Sequence, residues 1–435
     1  VRIPTTAGRR ALGACGVAGL TVGLLAGCGG TNAKPFPAST PQQVPLGIAA
    51  ALLQPVKIGL VVTSSSAPGQ GQDDLGLAAG ARVAEYRLGL AAQGKVTLDV
   101  VDDHGTAAGS RAAVQQLLGD GVAGIVYASE GSHLDAGVAL AQAASTAVLL
   151  PYATTVPAGS GVWLTGPSAQ QVVSALSTAL GAQHLVSPLV LRTTSVTGLD
   201  QIASDPTVKT IDEGANLTAQ VAADLTKLGT AAGPDAVVVW GSAQAEADAV
   251  AAVQQSGSTV PVLLGPSALS PTFASELAQL GSQGQATTGG TYVTAGVPAT
   301  DNSTTGETTA FLAADRLAAA DTAAVPSLLT ATSFSASGAA TADTRAHDAV
   351  LALVDAVAVA RRTAPGSVLG ALRTISSTPS SLGLAGPTLD FAQGPDALSA
   401  SGVEALQSTD QGSGQRSGVE QTLPALTWFA LGSAG

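Results

Sequence analysis

Charge is scarce in this sequence. Of its 435 residues, 11% are Asp, Glu, Lys or Arg, less than half the roughly 25% of an ordinary soluble protein. Ser, Thr, Gln and Gly must therefore cover its surface. The few charges lean one way, with 18 Lys and Arg against 30 Asp and Glu and a net charge of −12. An acidic chain without a basic stripe excludes nucleic acid as a partner and excludes electrostatic docking on anionic lipid. Cysteine is limited to Cys15 and Cys28, so nothing beyond residue 28 can form a disulfide or a Cys-based zinc site. The four histidines, at 104, 133, 184 and 347, are scattered without a His-x-x-x-His pair, which leaves no basis for a metal centre or a metal cofactor. Aromatics make up 3% of the chain, yet 46% is hydrophobic. That is enough to fill cores with close-packed Ala, Val and Leu, unlike a disordered chain. The length favours two or three domains.

The N-terminus is built differently from the rest. Arg9-Arg10 precedes the small and apolar run Ala11 to Leu25, followed by Ala26-Gly27-Cys28. At 1.5 Å per residue such a run reaches about 22 Å, short of a roughly 30 Å hydrocarbon core, and so reads as an export signal rather than a span. Leu25-Ala26-Gly27-Cys28 resembles the bacterial lipobox. The resemblance implies that 1–27 is a signal peptide and Cys28 the lipid-modified first mature residue. The protein would then be extracytoplasmic and held at the cell membrane by its lipid anchor; cleavage near Cys28 without lipid is the alternative. Residues 28–55 carry Pro35, Pro37, Pro41, Pro45 and Pro55 among small polar residues, the composition of a flexible tether.

Residues 96 to 155 organise the globular body. Val96 to Val101 reads as a strand, ending in Asp102-Asp103-His104-Gly105, and Gly109 to Leu118 has its apolar residues at helical spacing. Gly124 to Tyr127 is a second strand, ending in Ser129-Glu130-Gly131-Ser132-His133, and Leu134 to Ala144 a second helix. A third strand, Ala147 to Leu150, runs into Pro151-Tyr152-Ala153-Thr154. Short strands alternating with helices of ten to twelve residues predict right-handed crossovers and a parallel sheet, with ligands bound beyond the carboxyl ends of the strands. Val56 to Val62 adds a strand in front, its polar loop Thr63 to Asp74 leading to a helix from about Leu75 to Leu88.

After Gly161 to Pro167, Ser168 caps a new helix, Ala169 to Leu180, where the chain passes into a second lobe. There Ser187 to Arg192, Asp235 to Trp240 and Val260 to Leu264 are strands, with helices at Leu217 to Leu228 and Glu246 to Gln255. Gly289 to Thr294 is a return strand, Phe311 to Ala320 and Ala346 to Arg361 are helices, and Val368 to Ile375 is a shorter one. Gly386 to Phe391 and Ala425 to Leu431 close the chain as strands separated by a Ser- and Gly-rich loop.

Several polar clusters invite sharper functions. Asp102-Asp103-His104 reads as a strand-end helix cap rather than an acid–base or metal site. Ser132-His133 with Asp135 cannot form a hydrolase triad, because adjacent residues do not converge on one reacting atom and no Gly-x-Ser-x-Gly elbow is present. Gly69-x-Gly71 lacks a third glycine and no Walker sequence occurs, so nucleotide phosphate binding has no support. No catalytic residue is assigned, and the chain is read as a binding protein without a cofactor.

The Ser/Gly loop after the first strand, Gly76-x-x-x-Gly80-Ala81, Asp102-Asp103, Gly121 to Val126, Pro151-Tyr152-Ala153-Thr154, Asp235 to Trp240, Gly265-Pro266-Ser267 and Ala385 to Phe391 fall in one characteristic order. In that order the chain resembles the type I periplasmic solute-binding lipoproteins of the leucine/isoleucine/valine-binding family, which capture solutes for ABC importers. The resemblance implies two Rossmann-like α/β lobes joined by a multi-crossing hinge, lobe 1 from 56–165 plus 295–384 and lobe 2 from 166–294 plus 385–432. It implies a monomer that hands a small polar solute (an amino acid, an amide or a related small acid) to ABC permease and ATPase subunits. It suggests a serine within Ser129 to Ser132, Thr154 and backbone amides such as those around Tyr152 and Ala153 as ligand-binding positions. Tyr152, Trp240 and Ser267, at strand ends facing the same cleft, complete the candidate set, with core packing the alternative for Trp240. The alternative is a ligand-sensing or scaffold lipoprotein on the same fold. Ser267 stands where the family usually places an acid for the ligand ammonium, and Gln70-Gly71-Gln72 replaces its usual first-loop aromatic. These departures predict weak binding of leucine, isoleucine and valine, and a solute without a free α-ammonium; the alternative is that Asp73, Asp74, Glu130 or Asp200 supplies the charge instead.

Overall fold

The computed structural model describes residues 43–212, 217–228, 233–297, 305–322, 325–330, 332–410 and 426–431. Two sheets organise them. The first holds β1 (Val56–Val62), β2 (Val96–Asp102), β3 (Ile125–Tyr127), β4 (Val148–Leu150) and β5 (Val162–Leu164), in the order β2-β1-β3-β4-β5. All its pairings are parallel. Both faces are covered, so β1, β3, β4 and β5 are apolar apart from Lys57 and are buried almost throughout. Helices Ala107–Gly119 and Leu134–Ala143 pack on one face; Gly80–Ala91 and Thr344–Ala360 pack on the other. Gly80 lets its helix touch the backbone of Asp343, where a Cβ would overlap the Asp343 carbonyl oxygen.

The second sheet comprises β6 (Leu189–Arg192), β7 (Thr207–Thr210), β8 (Val237–Trp240), β9 (Val262–Leu264) and β10 (Tyr292–Gly296). Their order, β7-β6-β8-β9-β10, repeats that of the first sheet with all strands parallel. A small separate ladder pairs β11 (Ser376–Ser377) with β12 (Leu389–Asp390). Two antiparallel strands extend the second sheet beyond β10: β13 (Glu404–Thr409) and then β14 (Thr427–Ala430). Its core gathers aromatics: Phe273 lies edge-on to Tyr292 at 6.3 Å and beside Trp428 at 6.4 Å.

The chain passes between lobes after β5, after β10 and between β12 and β13. Two of these passages are stitched together. Leu164 N–H donates to the Pro395 carbonyl at 2.8 Å and Ala397 N–H to the Leu164 carbonyl at 2.9 Å. Trp163 Nε1–H donates to the Phe391 carbonyl at 3.2 Å, with the rings edge to face.

Several expectations are corrected. The tether does not reach residue 55: Leu46, Ala49 and Leu52 are buried in the core, and Lys95 Nζ and Arg87 Nε hold the Leu52 and Val44 carbonyls. The helix predicted over 75–88 is two pieces, Leu75–Ala78 and Gly80–Ala91. Gly386 to Phe391 joins neither main sheet; only Leu389–Asp390 forms a strand, in the small ladder. Strands β7 and β13 and helix Pro271–Ser282 add to the predicted elements. Cys15, Cys28 and the signal region lie outside the described residues.

Candidate functional site

Beyond the carboxyl ends of both sets of parallel strands lies a cleft of about 1370 Å³. Lobe 1 supplies Pro68 to Gln70 after β1, Glu130 to Ser132 after β3 and Ala153 to Ala158 after β4. Lobe 2 supplies Thr193 to Thr197 after β6, Ile211-Asp212 after β7, Trp240 to Ser242 after β8 and Pro266-Ser267 after β9. The hinge adds Leu164, Ser168 to Gln170 and Asp396. A strand that stops at a sheet edge releases its chain into a loop, so both sheets place their most polar loops here. The lobes also touch at one edge, where Ser270 Oγ–H donates to the Asp73 carbonyl at 3.0 Å.

The lobe 1 wall rests on a buried polar network. The Asp103 carboxylate accepts from the Thr63 hydroxyl at 2.7 Å, the Tyr127 hydroxyl at 2.7 Å and the Gly105 N–H at 2.9 Å. His133 Nε2 lies 3.1 Å away from it. Burial pushes the Asp103 carboxyl up, but the bonds from His133, Thr63, Tyr127 and Gly105 outweigh it, and its pKa falls below 3.8. The helix after β2 is capped by Thr106, whose hydroxyl accepts from Gly109 N–H. The expected Asp cap is therefore replaced by a network, and His133 is engaged with Asp103 rather than with Ser132.

Of the predicted site residues, Ser132, Ala153, Thr154, Trp240 and Ser267 come together on the cleft wall. Ser129 and Tyr152 do not. Ser129 is fully buried beneath the wall, its hydroxyl 2.7 Å from that of Thr63. Tyr152 is 5% exposed and faces away, its ring under the Arg345 guanidinium at 4.6 Å. Arg345 is itself paired with Asp343 at 3.0 Å. Ala153 and Thr154 line the cleft, while the Tyr152 ring enters the layer behind it against Arg345. Asp74 is also buried in that layer; burial first, then the Glu130 charge, raises its carboxyl well above 3.8. Asp200 is paired with Arg192. Sequence reasoning missed Asp212 and Asp396. Asp212 follows the overlooked β7, and Asp396 is brought to the cleft only by the bridge to Leu164.

No protein-family model matches the chain, and no curated protein matches it. Solved structures do. A type 1 periplasmic binding protein of Bordetella pertussis superposes with a TM-score of 0.63 at 16% identity, covering 87% of this chain and 100% of that one. The chain has the fold of the type I periplasmic binding proteins. The branched-chain amino acid binding protein LivJ of Streptococcus pneumoniae, complexed with isoleucine, matches at TM-score 0.60 and 17% identity over 87% of this chain and 100% of its own. An ABC-transporter solute-binding protein of Rhodopseudomonas palustris, complexed with 3,4-dihydroxybenzoic acid, matches at 0.58 and 12% over 86% and 95%. One periplasmic binding fold thus accommodates unlike small molecules. Among the described residues, no helix is long and apolar enough to cross a membrane.

Proposed function

We propose that this chain is an extracytoplasmic, lipid-anchored solute-binding protein that captures a small polar solute between its lobes and delivers it to the permease and ATPase of an ABC importer. The observation that carries this is the cleft: the carboxyl ends of two equivalent parallel sheets face one cavity large enough for a small molecule. Ser132 and Thr154 offer hydroxyls to a carboxylate or amide oxygen. Trp240, 7% exposed, borders the cleft with apolar atoms, and Ser267 adds a further hydroxyl. A ligand touching both walls favours closure by its differential affinity for the closed state. The protein acts as a monomer, anchored through Cys28.

A thermal-shift screen of amino acids, amides, small acids, sugars and amines on the body from residue 43 tests the cleft. A solute at about a hundred times its Kd stabilises the folded state by about 2.7 kcal/mol. A screen that moves nothing favours a scaffold role. Cys28→Ser releases the protein from the membrane or traps its precursor; a variant that stays bound at its mature mass overturns the anchor.

A further inference from the structure

The charge on the cleft wall is one-sided. Glu130 and Asp135 line it from lobe 1, Asp212 from lobe 2 and Asp396 from the hinge, and no Lys, Arg or His is among its described lining residues. Asp135, Asp212 and Asp396 have no ion-pair partner among the described residues. Arg192 is paired with Asp200 and Arg345 with Asp343. In an open cleft, water screens the four carboxylates. Closure removes that water and strengthens their field, so an anionic solute would meet repulsion from three directions. A cation would be drawn in by the same field. Trp240 lines the lobe 2 side, and an indole face is the best aromatic surface for a positive charge.

We infer that the solute is a small organic cation, an amine- or guanidinium-bearing molecule whose charged end meets Asp212, Asp396 and the Trp240 ring. A carbonyl or carboxylate at its other end meets Ser132 and Thr154. This rests on the solute-binding reading and reverses the expectation of a ligand without an ammonium. That expectation followed from Ser267, whereas the carboxylates come from elsewhere in the chain.

Calorimetry on the body from residue 43 decides it, with arginine, agmatine and putrescine as cationic probes, leucine as the neutral zwitterion and succinate as the anion. At least one cationic probe should bind at least about tenfold tighter than leucine, and succinate should not bind. Affinity should weaken between low and high salt, as solvent-accessible ion pairs do. Asp212→Asn and Asp396→Asn should each lower it by about tenfold while the circular dichroism and the melting temperature stay unchanged. Leucine or succinate binding as tightly as any cation, undiminished in both variants, overturns the charge assignment and leaves the solute-binding reading standing. Absence of binding by all five probes overturns the cationic class; the broad thermal-shift screen then decides separately whether the cleft binds any solute.

Discussion

The two walls of the cleft share a strand order but are held by different means. In lobe 1 the loops after β1, β2 and β3 are tied by side chains: Thr63, Asp103, Tyr127, Ser129 and His133 bond to one another beneath the wall. In lobe 2 the loops after β8 and β9 rest on helix caps and single bonds, one of them from the Gly241 N–H to the buried Glu246 carboxylate at 3.4 Å. Ser242 caps the helix Ala243–Gln255, and the Thr294 hydroxyl donates to the Gly265 carbonyl at 2.7 Å. Lobe 2 compensates with the aromatic packing of Phe273, Tyr292 and Trp428. A repeated α/β scaffold thus dictates where the loops emerge, while each loop's rigidity is solved locally. The lobe 1 wall is preorganised by a buried charge, and disturbing that charge should cost more than any comparable change across the cleft.

Asp103→Ala should produce the largest effect, a loss of about 3–5 kcal/mol, because it leaves Thr63, Tyr127 and His133 buried without their acceptor. Ser242→Ala in lobe 2 should cost about 1 kcal/mol, the worth of an N-cap. Urea unfolding measures both, and equal losses would break the comparison. Next comes Arg87→Met. Arg87 is 1% exposed and joins Val44, Gly383 and His347. Its loss should cost about 2–3 kcal/mol and raise hydrogen exchange in residues 43–55 before the rest of lobe 1.

Acid should act in two stages. Burial, aided by the Arg87 charge, lowers the His347 pKa below 6.5 although Asp348 opposes it. The stability this gives is full above the unfolded value of 6.5 and is lost as pH falls through the folded one. The contribution of Asp103 is full above 3.8 and is lost only at lower pH, through its depressed folded pKa. Stability measured from pH 8 to pH 2 should fall twice, and His347→Gln should remove the first fall alone. A structural rather than energetic readout tests the seam between the walls. Ser270→Ala deletes the bond to the Asp73 carbonyl, worth about 1 kcal/mol, along with the cap that the Ser270 hydroxyl gives the Thr272 N–H, and should shift small-angle scattering of the ligand-free protein toward a more open form.

Much of the fold was legible because its strands are buried on both faces. Val56 to Val62, broken only by Lys57, Ile125 to Tyr127 and Val237 to Trp240 are apolar runs bounded by polar turns, and such runs announce themselves. Strand β7, Thr-Val-Lys-Thr, lies at a sheet edge and is partly exposed along its length, so it carries no comparable signal. Segment 43–55 misled because its prolines suit a tether, while its three buried apolar residues are too few to show a period.

Local sequence alone determined the βα alternation, the two lobes and the polar clusters at strand ends, since each depends on periodicity within a dozen residues. It also put Ser132, Thr154 and Trp240 at the ends of strands and therefore near any cleft. Only the tertiary structure decided which neighbouring side chains point into that cleft. It turned Tyr152 toward Arg345 and bonded Ser129 to Thr63 below the wall, because the direction of a side chain in an irregular turn is set by the layer packed against it. It alone brought Asp396 to the hinge beside Leu164, 232 residues earlier in the chain. The charge of the site is thus a sum over distant segments, and no local pattern encodes that sum.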